Sequence, residues 1–217
     1  MDRTVLLVAV FAVVVVVVVV ALQYFQKVKR GNEMRDVAVR LGYEFHEKGD
    51  SLIEGLGGFD LIFQGRSRTA TNVLCTKADD ATATFFDYSY ETGQAKNRRF
   101  HRRSALLLES ERLDLPAFGL RPEGIGQKLM GLAGQQDIDF EDHQKFSAAY
   151  ALQGPDEPEI RALFGGDKLD FFAQRPGMCV ESNGRQLLFY RGQKLISPKA
   201  IPSFVEEGLA VLHLLAG

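Results

Sequence analysis

The chain has 217 residues, 46% of them hydrophobic and 25% charged, with a formal net charge of −2. That composition excludes a disordered polymer, and the acidic balance argues against a free nucleic-acid binder, which carries a basic face. Two cysteines, Cys75 and Cys179, lie far apart without C-x-x-C spacing, which excludes a structural zinc site and a secreted disulfide framework and favours free thiols in a reducing compartment.

From Val5 to Leu22 the residues are apolar without exception, including an unbroken valine block from Val13 to Val20. In water such valines would favour a strand. In lipid only a helix satisfies its own backbone, and this one rises roughly 27 Å, close to the hydrocarbon core. The run is longer than a signal-peptide core and no A-x-A site precedes Gln23, so the segment is read as an uncleaved anchor over residues 1–26, with Tyr24 and Phe25 at the interface. Lys27, Lys29, Arg30 and Arg35 follow it, against Arg3 alone before it, so positive charge places the body on the cytoplasmic side of the inner (cell) membrane as a single-pass protein. Residues 1–35 hold five Lys/Arg against two Asp/Glu, which leaves −5 on the remainder.

Gly31-Asn32 reads as a break in the anchor helix and an N-cap for a second one, with Met34, Val37, Ala38 and Leu41 on one stripe; residues 27–42 form a basic flank and linker helix. The body, 43–217, then shows period-two text. Phe59–Phe63, Asn72–Thr76, Thr82–Tyr90 and Phe100–Glu109 read as strands with short, antiparallel connections, and Ala117–Arg121 as a fifth. Gly124–Leu132 reads as a short helix whose glycines lack the strand-then-helix setting of a dinucleotide loop, and two subdomains could divide near 124–136. Asp137–Glu141 alternates, Phe146–Leu152 reads as a strand, and carboxylates at Asp156, Glu157 and Glu159 suit a helix N-terminus. A hairpin through Ser182-Asn183-Gly184-Arg185 and a final helix with Ser203 and Glu206 at capping-box spacing close the chain. The expected class is α+β: an N-terminal transmembrane helix followed by a mainly antiparallel sheet domain with packed helices, in one sheet or two.

Lys96-Asn-Arg-Arg-Phe-His-Arg-Arg103 concentrates five basic residues in eight. Near a membrane, Arg98, Arg99, Arg102 and Arg103 are candidate contacts for anionic lipid headgroups; as a solvated hairpin edge they would instead block strand pairing. The acidic run of Asp137, Asp139, Glu141, Asp142 and His143 lacks the glycine of a calcium loop, so a solvated face with Ile138 and Phe140 inward is preferred to a metal site. Asp87, Ser89 and Glu91 share one strand face, but Ser89 has no G-x-S-x-G elbow and no histidine close in sequence. His46, His101, His143 and His213 show no metal spacing. Cys75 and Cys179, each among apolar strand residues, read as inert core thiols. No catalytic residue, metal or cofactor is assigned.

The stretches Phe118-Gly-Leu-Arg-Pro-Glu123, Lys128-Leu-Met-Gly-Leu132, Asp137–Glu141, Phe146–Tyr150 and Asp156-Glu-Pro-Glu-Ile-Arg161, with the strand Phe86-Asp-Tyr-Ser-Tyr90, resemble bacterial single-pass membrane-anchored proteins of uncharacterised function. The likeness covers most of residues 40–215; it implies membrane anchoring and adds no activity. The expectation is therefore a membrane-tethered cytoplasmic interaction or accessory module, partnered by the membrane and by a protein. A hydrolase or metal-assisted enzyme with an unrecognised site and an anionic-lipid-binding domain are the alternatives.

Overall fold

The computed structural model describes residues 3–78, 81–124, 136–192 and 194–217. The chain opens on one helix, α1 (Arg3–Leu41), of 39 residues. It is long and apolar enough to cross a bilayer, with a mean hydropathy of 2.1 in its apolar window and none of that window buried in the protein. A core helix of a soluble protein would hide this surface; here Phe11 is 70% and Val16 60% exposed. The helix does not break at Gly31-Asn32. An interior glycine costs about 1 kcal/mol, which is outweighed by burial of Met34, Val37 and Ala38 just beyond it, at about 1.5–3 kcal/mol for each large apolar side chain. The anchor and the expected linker are thus one rod.

The strands are β1 (Glu44–Lys48), β2 (Arg66–Ala78), β3 (Ala81–Thr92), β4 (Arg99–Ser110), β5 (Leu115–Pro122), β6 (Tyr150–Gln153), β7 (Met178–Gly184) and β8 (Gln186–Arg191). They form one antiparallel sheet in the order β1-β2-β3-β4-β8-β7-β5-β6, so strands from both sides of residues 124–136 share it. The remaining helices are α2 (Asp50–Gly55), α3 (Asp60–Phe63), α4 (Gln144–Ala149), α5 (Glu157–Leu163), α6 (Gly166–Ala173) and α7 (Ile201–Ala216).

Both faces of the sheet are covered, and strand alternation sorts side chains between them. Phe85, Leu106, Leu108, Leu187 and Phe189 join the core under α1, α5, α6 and α7. Phe86, Tyr88, Tyr90, Ala105, Leu107, Leu188 and Tyr190 join a second core beneath α2 and α3. Helix α7 lies close to the sheet because Gly208 has no side chain; a Cβ there would collide with Leu106 Cδ2.

Several local expectations are corrected. Phe59–Phe63 is not a strand: Asp60–Phe63 is a single helical turn whose Leu61 N–H is accepted by the Glu181 carboxylate of β7, 120 residues away. Phe146–Leu152 begins as α4 and turns to strand at Tyr150, whose ring stacks on that of Phe146 at 5.7 Å. Residues 137–140 form no strand, although Ile138 N–H donates to Leu152 O and its side chain is buried. The β7–β8 turn centres on Gly184-Arg185, since Asn183 already pairs with Gln186, and Gly184 takes the positive φ of +62°. Helix α7 starts at Ile201, so Ser203 lies inside it and bonds back to Ala200 O instead of capping. Strand β1 and helix α2 carry no clear pattern in the text; β1 is an exposed edge. The expected helix at Gly124–Leu132 lies outside the described residues beyond Gly124.

Candidate functional site

The place where α1 meets the sheet is built by charge. Arg30, on α1, inserts a guanidinium whose Nε and Nη2 donate to Asp87 Oδ2 and Oδ1 at 2.6 and 2.8 Å. Asn72 Nδ2 donates to Oδ2 at 2.8 Å and Ser104 Oγ to Oδ1 at 2.7 Å, so the Asp87 carboxylate, buried on β3, accepts four hydrogen bonds. Arg30 also donates to Ile196 O at 3.0 Å, and Ile196 N–H donates to Ser104 Oγ at 2.9 Å. The Asp87 carboxylate therefore ties together α1, β2, β3 and β4, and Arg30 and Ser104 extend the network to the segment leading into α7. Such a bidentate, charge-assisted pair fixes orientation as well as distance.

Asn72 reaches Asp87 because β2 is irregular there. The pairing of β2 with β3 shifts register between Thr71 and Leu74, and Asn72 adopts φ +52°. Asparagine tolerates this left-handed conformation better than other side chains, and the bulge turns its amide toward the carboxylate. Beside this lock lies an open cavity of about 280 Å³, lined among others by Gln26, Lys27, Thr69, Ser89 and Arg102. Thr69 Oγ1 and Ser89 Oγ are hydrogen-bonded to each other at 2.7 Å.

The four arginines of the basic run do not share one face of the sheet. Arg102 and Arg103 point to opposite faces of β4, as alternation requires. Arg102 is exposed and lines the junction cavity. Arg98 Nε lies 3.4 Å from Glu91, and Arg99 pairs with Thr92 near the end of the β3–β4 hairpin. Arg103 is buried, 2% exposed, with its guanidinium 5.7 Å from the Tyr90 ring and 5.1 Å from the Tyr190 ring. Its Nη2 donates to Tyr90 Oη at 3.0 Å, while Nε has no hydrogen-bond partner.

That second face holds a buried polar layer under α3. Tyr190 Oη donates to Glu181 Oε1 at 2.7 Å, Tyr90 Oη to Gln64 Oε1 at 2.8 Å, and Tyr88 Oη to Ile62 O at 3.2 Å. Burial pushes the Glu181 carboxyl up to about 7, opposed by the Tyr190 and Leu61 hydrogen bonds and reinforced by Asp60. Burial likewise raises the Tyr88 hydroxyl to about 12 and the Cys179 thiol to about 11. These groups pin α3 to the sheet.

The other sequence candidates stay apart. Asp137 accepts from Gln153 Nε2 at 2.6 Å, Glu141–His143 form a 3-10 turn, and His143 lies 4.0 Å from Asp170. Ser89 sits at the junction, whereas His143 lines a separate surface depression with Asp139 and Arg161. Among the described residues no group of three His, Cys, Asp or Glu side chains could hold a metal ion. His101 stacks on Tyr90 at 4.7 Å and bonds Thr92, a packing role. The Arg30–Asp87 pair escaped the sequence reading; the visible signal was an arginine eight residues beyond Leu22 at helical spacing before Met34 and Val37.

No family model and no curated protein matches the chain. A solved structure does: the mycobacterial trehalose monomycolate transport factor A, TtfA, superposes with a TM-score of 0.62 at 11% identity, over 85% of this chain and 95% of that one. The two share a fold.

Proposed function

We propose that this protein is a membrane-tethered accessory factor without catalytic activity of its own, which holds its sheet domain at the cytoplasmic face of the cell membrane for a protein partner in a transport assembly. The observation that carries this reading is the junction. A single helix runs from the apolar span into the core, and the Arg30–Asp87 lock fixes the sheet to it, so the body keeps a set orientation to the bilayer. An enzyme acting on soluble substrates gains nothing from such rigidity, whereas a module that presents a face to another membrane protein does. The positive flank at Lys27, Lys29 and Arg30 supports the cytoplasmic side. The shared fold with a protein titled a transport factor supports the transport setting.

Cross-linking in intact cells followed by detergent extraction tests it. A defined integral membrane protein is expected to co-purify with the full chain, and protease added to spheroplasts is expected to leave the body uncut. Digestion from outside, or substrate turnover by the purified chain alone, would overturn the proposal.

A further inference from the structure

The junction cavity has the charge, the contents and the depth of a lipid headgroup site. Asp87, its carboxylate, is already saturated by Arg30, Asn72 and Ser104. Lys27 on α1 and Arg102 on β4 both line this space, and no salt bridge joins either to a carboxylate among the described residues. Hydroxyls of Thr69 and Ser89 and the amide of Gln26 complete a polar lining. Two unmatched cations over neutral hydrogen-bonding groups suit a phosphate oxygen cluster.

The depth follows from the register of helix and strands. From the Arg30–Asp87 lock both run the same way: Gln26 and Lys27 on α1 and Ser89 and Arg102 on the strands face one cavity. Lys27 stands five residues beyond Leu22, about 7.5 Å along the axis, which is within the headgroup layer of a bilayer. From Asp87 to Thr92 the strand advances five residues, about 16.5 Å at about 3.3 Å each, against about 12 Å along α1 from Arg30 back to Leu22, so a hairpin running alongside the helix spans the distance to its last apolar turn. Phe100 lies at that end, on the α1 side by alternation with Arg102, and is 71% exposed. An isolated aromatic beside Arg98 and Arg99 is what a membrane-contacting tip presents.

We infer that the space between α1 and the β3–β4 hairpin binds the phosphate of an anionic phospholipid, held between Lys27 and Arg102, with the hairpin tip resting on the leaflet. The proposal rests on the membrane-anchored reading and adds a lipid ligand to it. The same phosphate chemistry could come from a soluble anion, but the depth and Phe100 assign it to lipid.

The full chain in detergent, titrated with phosphatidylglycerol and read by native mass spectrometry, is expected to retain one lipid. Lys27→Gln with Arg102→Gln should weaken retention roughly tenfold or more, since each basic side chain near an anionic headgroup contributes substantially. Both side chains are exposed, and an unchanged thermal melt confirms that the variant is folded. Lys145→Gln, at an exposed position on α4 that does not line the cavity, should retain the lipid as the natural chain does. Equal retention of phosphatidylcholine, wild-type retention by the Lys27/Arg102 variant, or full displacement of the lipid by millimolar inorganic phosphate would each overturn the headgroup site. Partner capture surviving such a result would leave the accessory role standing.

Discussion

Replacing Arg30 by methionine keeps a helix-forming, unbranched side chain but leaves the Asp87 carboxylate with only Asn72 and Ser104 as donors. Removing one member of a buried ion pair costs about 3–5 kcal/mol, because the remaining charge stays desolvated. The Arg30 side chain is 18% exposed and Asp87 7%, so water reaches one edge of the pair and the lower end, about 3 kcal/mol, is expected. For a body of this size each kcal/mol lowers the melting temperature by about 2–4 °C, giving a fall of about 6–12 °C. Circular dichroism melting of the full chain in detergent reads it. Combining Arg30→Met with Asp87→Leu should recover most of the loss, since the buried charge is then gone as well. A chain beginning at Asn32 lacks Arg30 and should melt below one beginning at Lys27 by a similar margin. A shift of less than about 2 °C in Arg30→Met would show that the pair is solvated and that orientation is set by Met34, Val37 and Ala38 alone.

Glu181, pushed up to about 7 by burial, holds its proton in the folded state while the unfolded chain releases it near 4.5; stability is therefore full below about 4.5 and is lost as pH rises through 7. Glu181→Gln should flatten that slope, seen as denaturant midpoints that match at pH 5 and pH 8, and a slope equal to wild type would refute the assignment. The Cys179 thiol, raised to about 11, should resist thiol reagents in the native protein at pH 8 and react once denatured, whereas half-exposed Cys75 reacts in both; mass spectrometry of the labelled chain reads the difference. Gly208→Ala gains about 1 kcal/mol of helix propensity but forces a methyl into fully buried Leu106, which costs about 1–3 kcal/mol, so a net fall in melting temperature is expected and a rise would show that the sheet yields.

Strands β3 and β4 were legible because β-branched and aromatic alternation ran through them: the readings at Thr82–Tyr90 and Phe100–Glu109 fall within them with a residue or two missed at each end, whereas Asn72–Thr76 caught only part of the longer, bulged β2. The errors gather where a short apolar run was arbitrated by period alone. Phe59–Phe63 and Phe146–Leu152 each hold two aromatics, as a strand would, yet in one case a distant carboxylate accepts from a helical turn, and in the other Phe146 stacks on Tyr150 at helical spacing. The basic run was visible as composition. Its division, with Arg102 toward the anchor and Arg103 into the core between two tyrosines, required the sheet face of β4 to be known.

By itself the amino-acid order determined the apolar span, the bias of positive charge beyond it, the α+β class and most strand positions, because these rest on local hydrophobicity and on periods of 2 and 3.6 that neighbouring residues define among themselves. Only the tertiary structure decided that the apolar helix continues through Gly31 into the core, that the strands among the described residues join one sheet, and that Arg30 meets Asp87 across 57 residues. Those outcomes depend on what each element finds to pack against. A glycine breaks a helix or is carried through it according to the burial just beyond, and a lone arginine becomes a lock only where a distant strand presents a buried carboxylate.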